Sequence, residues 1–117
     1  MIQVYSFWLP KEGNRPEEYE DAFALDEVQR RFAIADGATE SGYAGLWAKL
    51  LVDQWVRRPP FDFSTQGSKL VQKHQSWRRW LRSLRAEWLA QVARPNLPWY
   101  AIHKIHQGAF ATFLGVY

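Results

Sequence analysis

The chain has 117 residues, 47% of them apolar and 16% aromatic, with seven Trp, no Cys and a formal charge of +3. That length bounds it to one domain, the apolar fraction excludes a disordered polyelectrolyte, and the lack of cysteine excludes disulfides, zinc–thiolate sites and thiol catalysis. The charge is unevenly spread, because residues 1–41 hold nine acids and four bases while residues 42–117 hold three acids and eleven bases.

In chain order, Ile2 to Leu9 is apolar on nearly both alternating sides and predicts a strand buried within a sandwich, closed by Pro10. The run is interrupted by Gln3 and Ser6 and is far shorter than the roughly 20 residues needed to span a bilayer. It also lacks the basic start and small-residue cleavage site of a signal peptide, so a cytoplasmic location without membrane contact is the default expectation. Residues 11–19 read as loop, with Gly13, Asn14 and Pro16 as breakers.

Glu20 and Asp21 lead into a strand-like stretch ending at Asp26, Glu27 to Arg30 is short enough for a hairpin loop, and Phe32 to Ala35 is a short apolar run that stops at Asp36-Gly37. A carboxylate at a strand end is held by rigid backbone where it meets solvent or a metal, and Gly37 lets the backbone approach a ligand closely. The alternative is an Asp that hydrogen-bonds its own turn. The acidic surroundings suit a divalent cation, since hard cations take oxygen ligands. Glu12, Glu17 and Glu18 read instead as solvated loop acids.

Thr39 and Ser41 are candidate caps for a helix over residues 43–56, where Leu46, Trp47, Leu50, Leu51, Gln54 and Trp55 draw one broad face. Pro59-Pro60 stops it, and a loop over 57–67 is pinned by Phe61 and Phe63. A longer helix follows over 68–94, with a break expected near Ser76. Its stripe Trp77, Leu81, Leu84, Trp88 and Val92 reads as core, and Arg78, Arg79, Arg82 and Arg85 lie on the other side as a solvated basic face. A short helix over 99–107 carries His103 and His106 three apart, but no third ligand is near and the pair is read as surface. Ala109 to Tyr117 reads as a buried strand. Strand, strand pair, helices and strand fit an α+β fold, with helices packed on one side of a mostly antiparallel sheet.

Glu20-Asp21-Ala22-Phe23, the short hairpin and Phe32-Ala33-Ile34-Ala35-Asp36-Gly37-Ala38 resemble the first two motifs of the metal-dependent serine/threonine phosphatases, the protein phosphatase 2C family. Lys11-Glu12-Gly13-Asn14 and Gly108-Ala109-Phe110-Ala111-Thr112-Phe113-Leu114-Gly115 are similar to its bacterial members. The resemblance implies that residues 1–117 form one incomplete domain, the first half of an α-β-β-α sandwich. It further implies two Mg²⁺ or Mn²⁺ ions bridged by Asp36, with the carbonyl of Gly37 on one ion and Glu20 and Asp21 holding metal-bound waters. Arg15 is the candidate for the substrate phosphate. The implied reaction is hydrolysis of a phosphoprotein monoester by a metal-activated water.

The family takes further aspartates from its second half, and after residue 41 this chain has only Asp53 and Asp62, neither in a matching motif. No residue is therefore assigned a catalytic role with certainty, and the chain is expected to be inactive or weak by itself. A second reading keeps the scaffold as a binding module. Its open sandwich face, lined by Trp8, Phe23, Ile34 and Phe113, is then completed by a partner or by self-association. A third, a nucleic-acid-associated protein using the four arginines, is disfavoured because the Trp lie on the core stripe and not among them.

Overall fold

A computed structural model describes residues 3–7, 9, 20–39, 41–62 and 70–117. Its elements are β1 (Asp21–Asp26), β2 (Arg31–Gly37), α1 (Ala44–Arg57), α2 (Leu70–Val92), α3 (Trp99–Gln107) and β3 (Ala111–Val116). The strands form one antiparallel sheet in the order β1-β2-β3, so the fold is α+β with β2 at the centre.

Local chemistry accounts for the hairpin. Asp26 pairs with Arg31 across a four-residue loop, the Asp26 carboxylate accepts from the Gln29 N–H at 2.9 Å, and Arg30 takes a left-handed φ of 55°. Arg31 then reaches α1, where its Nη1 donates to the Val56 carbonyl at 3.1 Å. That carbonyl is one of the four a helix leaves unpaired at its C-terminus, where a cation also suits the dipole.

One sheet face carries almost only small side chains: Ala22, Ala24, Ala33, Ala35 and Ala111, with Phe113. Such a face lets a helix lie close, and α1 fills it with Ala48, Val52, Trp55 and Val56. Trp55 sits over Gly115, where an added Cβ would overlap its indole ring. Among the described residues four further rings surround it, Phe61, Trp77, Trp80 and Phe113, at centroid distances of 6.4, 6.3, 6.4 and 5.6 Å. Its Nε1 donates to the Val116 carbonyl at 3.3 Å. A second cluster, Leu50, Trp88 and Val92 with Leu46, Trp47, Ile105 and Ala109, fastens α2 and α3 to α1.

Several expectations are corrected. Residues 3–7 and 9 form no strand, and Tyr5, Phe7 and Leu9 are exposed. Val4 to Phe7 line, with the sheet's other face, an open hollow of about 560 Å³ that leaves much of that face exposed. The helix over 43–56 begins without a side-chain cap, at a left-handed Tyr43. Ser41 instead donates its hydroxyl to the Ala38 carbonyl at 2.8 Å and accepts the Phe110 N–H at 3.0 Å, which ties the turn after β2 to the start of β3. No break occurs at Ser76, because Trp77 and Trp80 pack on Trp55 and hold α2 continuous there. Phe113 faces α1 rather than the open side. Trp8, Phe63 and the loop expected over 11–19 lie outside the described residues.

Candidate functional site

Strand alternation sends every second residue of the sheet away from the helices. The register makes three rows there: Leu25, Phe32 and Val116; Phe23, Ile34 and Leu114; and Asp21, Asp36 and Thr112. Two rows are apolar and largely uncovered, with Ile34 56% and Leu114 60% exposed. The third closes the end of the face with two carboxylates.

Asp21 and Asp36 are direct cross-strand partners. The next pair outward is tied by a hydrogen bond from the Gly37 N–H to the Glu20 carbonyl at 3.2 Å. Alternation of the ladder makes Asp21 and Asp36 a non-hydrogen-bonded pair, the kind whose side chains stand closer together. Both are exposed. Like charges directly opposite each other are destabilising in a sheet, by an amount on the order of 0.2–1 kcal/mol.

The residues singled out in the sequence separate into different roles. Asp21 and Asp36 share a face and a position. Glu20, one residue earlier, alternates away from them and contributes its backbone carbonyl to Gly37. Gly37 is needed as glycine for packing, since a Cβ there would stand 2.8 Å from the Ala44 carbonyl oxygen and 2.9 Å from that of Glu20. Arg15 lies outside the described residues. Asp53 pairs with Lys49 at 3.2 Å on α1, away from this row. His103 contacts Gln107 at 3.2 Å on α3 and is exposed, as is His106. Among the described residues no three His, Asp or Glu side chains group closely enough to form a complete metal site, and no helix is long and apolar enough to cross a membrane.

Sequence reasoning missed one feature. Arg78, Arg82 and Arg85 follow a spacing of four and three residues, which keeps them on one helical face, and they form a wall of a groove of about 600 Å³ between α2 and the α3–β3 connection. Arg79 is not part of its lining. The i, i+4, i+7 spacing was visible in the sequence, but the opposite wall, His106 to Phe110, comes from a segment more than twenty residues away.

Comparison of the chain with protein-family models, with curated proteins and with solved structures found no match.

Proposed function

We propose that this chain is part of a metal-dependent phosphatase domain of the protein phosphatase 2C type, acting on phosphate monoesters of protein substrates. The observation that supports this most is the pairing of Asp21 with Asp36 at the exposed end of the sheet, with Gly37 and Glu20 joined beside it. The donor chemistry fits a hard cation such as Mg²⁺ or Mn²⁺, which takes carboxylate and carbonyl oxygens. Two carboxylates fall short of the six or so oxygens that such an ion takes, so further donors must come from water or from other protein groups.

In this reading Asp36 and Asp21 hold the cation and Gly37 offers its carbonyl. The rigid β1–β2 ladder fixes the two carboxylates relative to each other, so the site requires little reorganisation. A bound divalent ion would activate water and stabilise charge on the phosphate oxygens. The test is calorimetric titration with Mn²⁺. Asp36→Asn should lose the binding seen in the wild type, whereas Asp62→Asn should keep it. Equal affinity in the wild type and Asp36→Asn would remove the cation site, and with it the phosphatase reading.

A second reading is favoured by the two apolar rows. A face holding Phe23, Ile34, Leu114 and Val116, each at least 45% exposed, is the kind of surface that proteins cover. On this reading the chain is an interaction module, completed by a second copy or by another protein. Sedimentation equilibrium distinguishes the two, since a monomer at about 100 µM with cooperative unfolding would sink the interaction reading.

A further inference from the structure

We propose that the groove between α2 and the α3–β3 connection binds a small ligand carrying two or three linked phosphates, a nucleoside polyphosphate or a short inorganic polyphosphate. Its volume of about 600 Å³ lies within the roughly 300–1,000 Å³ of small-ligand sites. Arg78, Arg82 and Arg85 line it in a single row. Seven residues of helix at about 1.5 Å each make that row roughly 10 Å long, a span suited to a chain of phosphates more than to one carboxylate. Guanidinium groups bind phosphate oxygens in pairs and carry their charge at every accessible pH.

Among the described residues no carboxylate pairs with this charge. The ion pair among these residues joins Lys49 to Asp53 on α1, away from the groove. From residue 70 to the C-terminus there are seven Lys and Arg against one acid, Glu87, whose carboxylate accepts a hydrogen bond from Gln91. Arginines four and three residues apart on one helix face repel one another. An anion in the groove removes that repulsion.

The floor and far wall are firm. Trp88 is buried beneath the arginines with its Nε1 directed to the Tyr43 carbonyl at 3.4 Å. Gly108, at a φ of 85° that strongly favours glycine, turns the chain out of α3. Phe110 is held on both backbone groups, by Ser41 and by Ala38, while its ring stays 63% exposed at the rim. That ring is placed to stack on a nucleobase.

The experiment is calorimetric titration in EDTA-containing buffer, which keeps the result independent of the cation site at Asp21 and Asp36. The probes are tripolyphosphate and ATP, with a single-stranded oligonucleotide titrated separately as the competing polymer. Saturable one-to-one binding is expected for both, or for ATP alone if the Phe110 ring contributes. Arg82→Glu with Arg85→Glu should weaken it at least about tenfold, the loss expected from one charge-assisted contact. Arg82→Gln with Arg85→Gln should weaken it similarly, and circular dichroism establishes that each variant folds. Arg79→Glu, which changes the same charge outside the groove, should bind as the wild type does. The proposal is overturned by no saturable binding of either probe or by an equal loss in Arg79→Glu. Binding confined to a single-stranded oligonucleotide, falling steeply with salt, overturns it too by replacing the small ligand with a polymer.

Discussion

The contact between Trp55 and Gly115 makes a quantitative prediction that involves both partners. A Cβ on Gly115 would come within 2.6 Å of the indole Cδ2 and 2.7 Å of Cζ2, so either the ring or β3 must move. The ring has little room, with the rings of Phe61, Trp77, Trp80 and Phe113 within 6.4 Å and its N–H on the Val116 carbonyl. Overpacking of that kind costs about 1–3 kcal/mol, so Gly115→Ala should destabilise by that amount. Trp55→Ala deletes a ring that is 5% exposed and should cost about 3–5 kcal/mol. In the double variant the alanine methyl enters space the ring has vacated. The Gly115→Ala penalty should then vanish, or turn slightly favourable because alanine has less backbone freedom to lose than glycine. Urea unfolding of all four proteins should therefore give a coupling of about 1–3 kcal/mol. Additivity within about 0.5 kcal/mol would refute the reasoning, because it would mean that the ring yields freely to the methyl group.

Trp88→Ala, which removes a side chain 3% exposed, should cost about 3–5 kcal/mol in denaturant melts. Arg82→Glu with Arg85→Glu, at exposed positions, should stay within about 0.5 kcal/mol of the wild type in the same melts. Asp21→Asn should raise stability by a few tenths to about 1 kcal/mol in metal-free buffer, since it removes a like-charge cross-strand pair. With Mn²⁺ present that advantage should shrink or reverse, and both values come from thermal unfolding with and without the ion. Ile34→Lys, at the centre of an exposed apolar row, should leave melting nearly unchanged while reducing any self-association seen by sedimentation velocity.

Where the sequence could be read, the information was local. The apolar run before Asp36-Gly37 and the short gap from Glu27 to Arg30 together set the hairpin register that brings Asp21 opposite Asp36. The helix over 99–107 was legible from Pro98 and Gly108 at its two ends. The side of the sheet taken by Phe113 was not legible, because only the placement of α1 decides which face is inner. Alternation shows that Phe113 and Leu114 oppose each other, yet a five-alanine face against a bulky one is a poor hydropathy signal for which is buried. Ser41 carried the marks of a helix cap, but its hydroxyl serves Phe110, sixty-nine residues away. The segment over 3–9 has a strand's composition, and composition does not show whether a ladder edge is available to it.

The pairing of β2 with β3 also sets an order of events during synthesis. β1, β2 and α1 lie within residues 21–57, so the hairpin and the helix that covers it can form soon after they leave the ribosome. The other edge of β2 must wait for residues 111–116, with residues 38–110 intervening. Closing a loop of that length slows folding more than it lowers stability. Until it closes, the central strand exposes a row of unpaired backbone groups beside Ile34 and Phe32, a template for pairing with another chain. Yield on refolding should therefore fall with protein concentration even under conditions where the finished fold is stable.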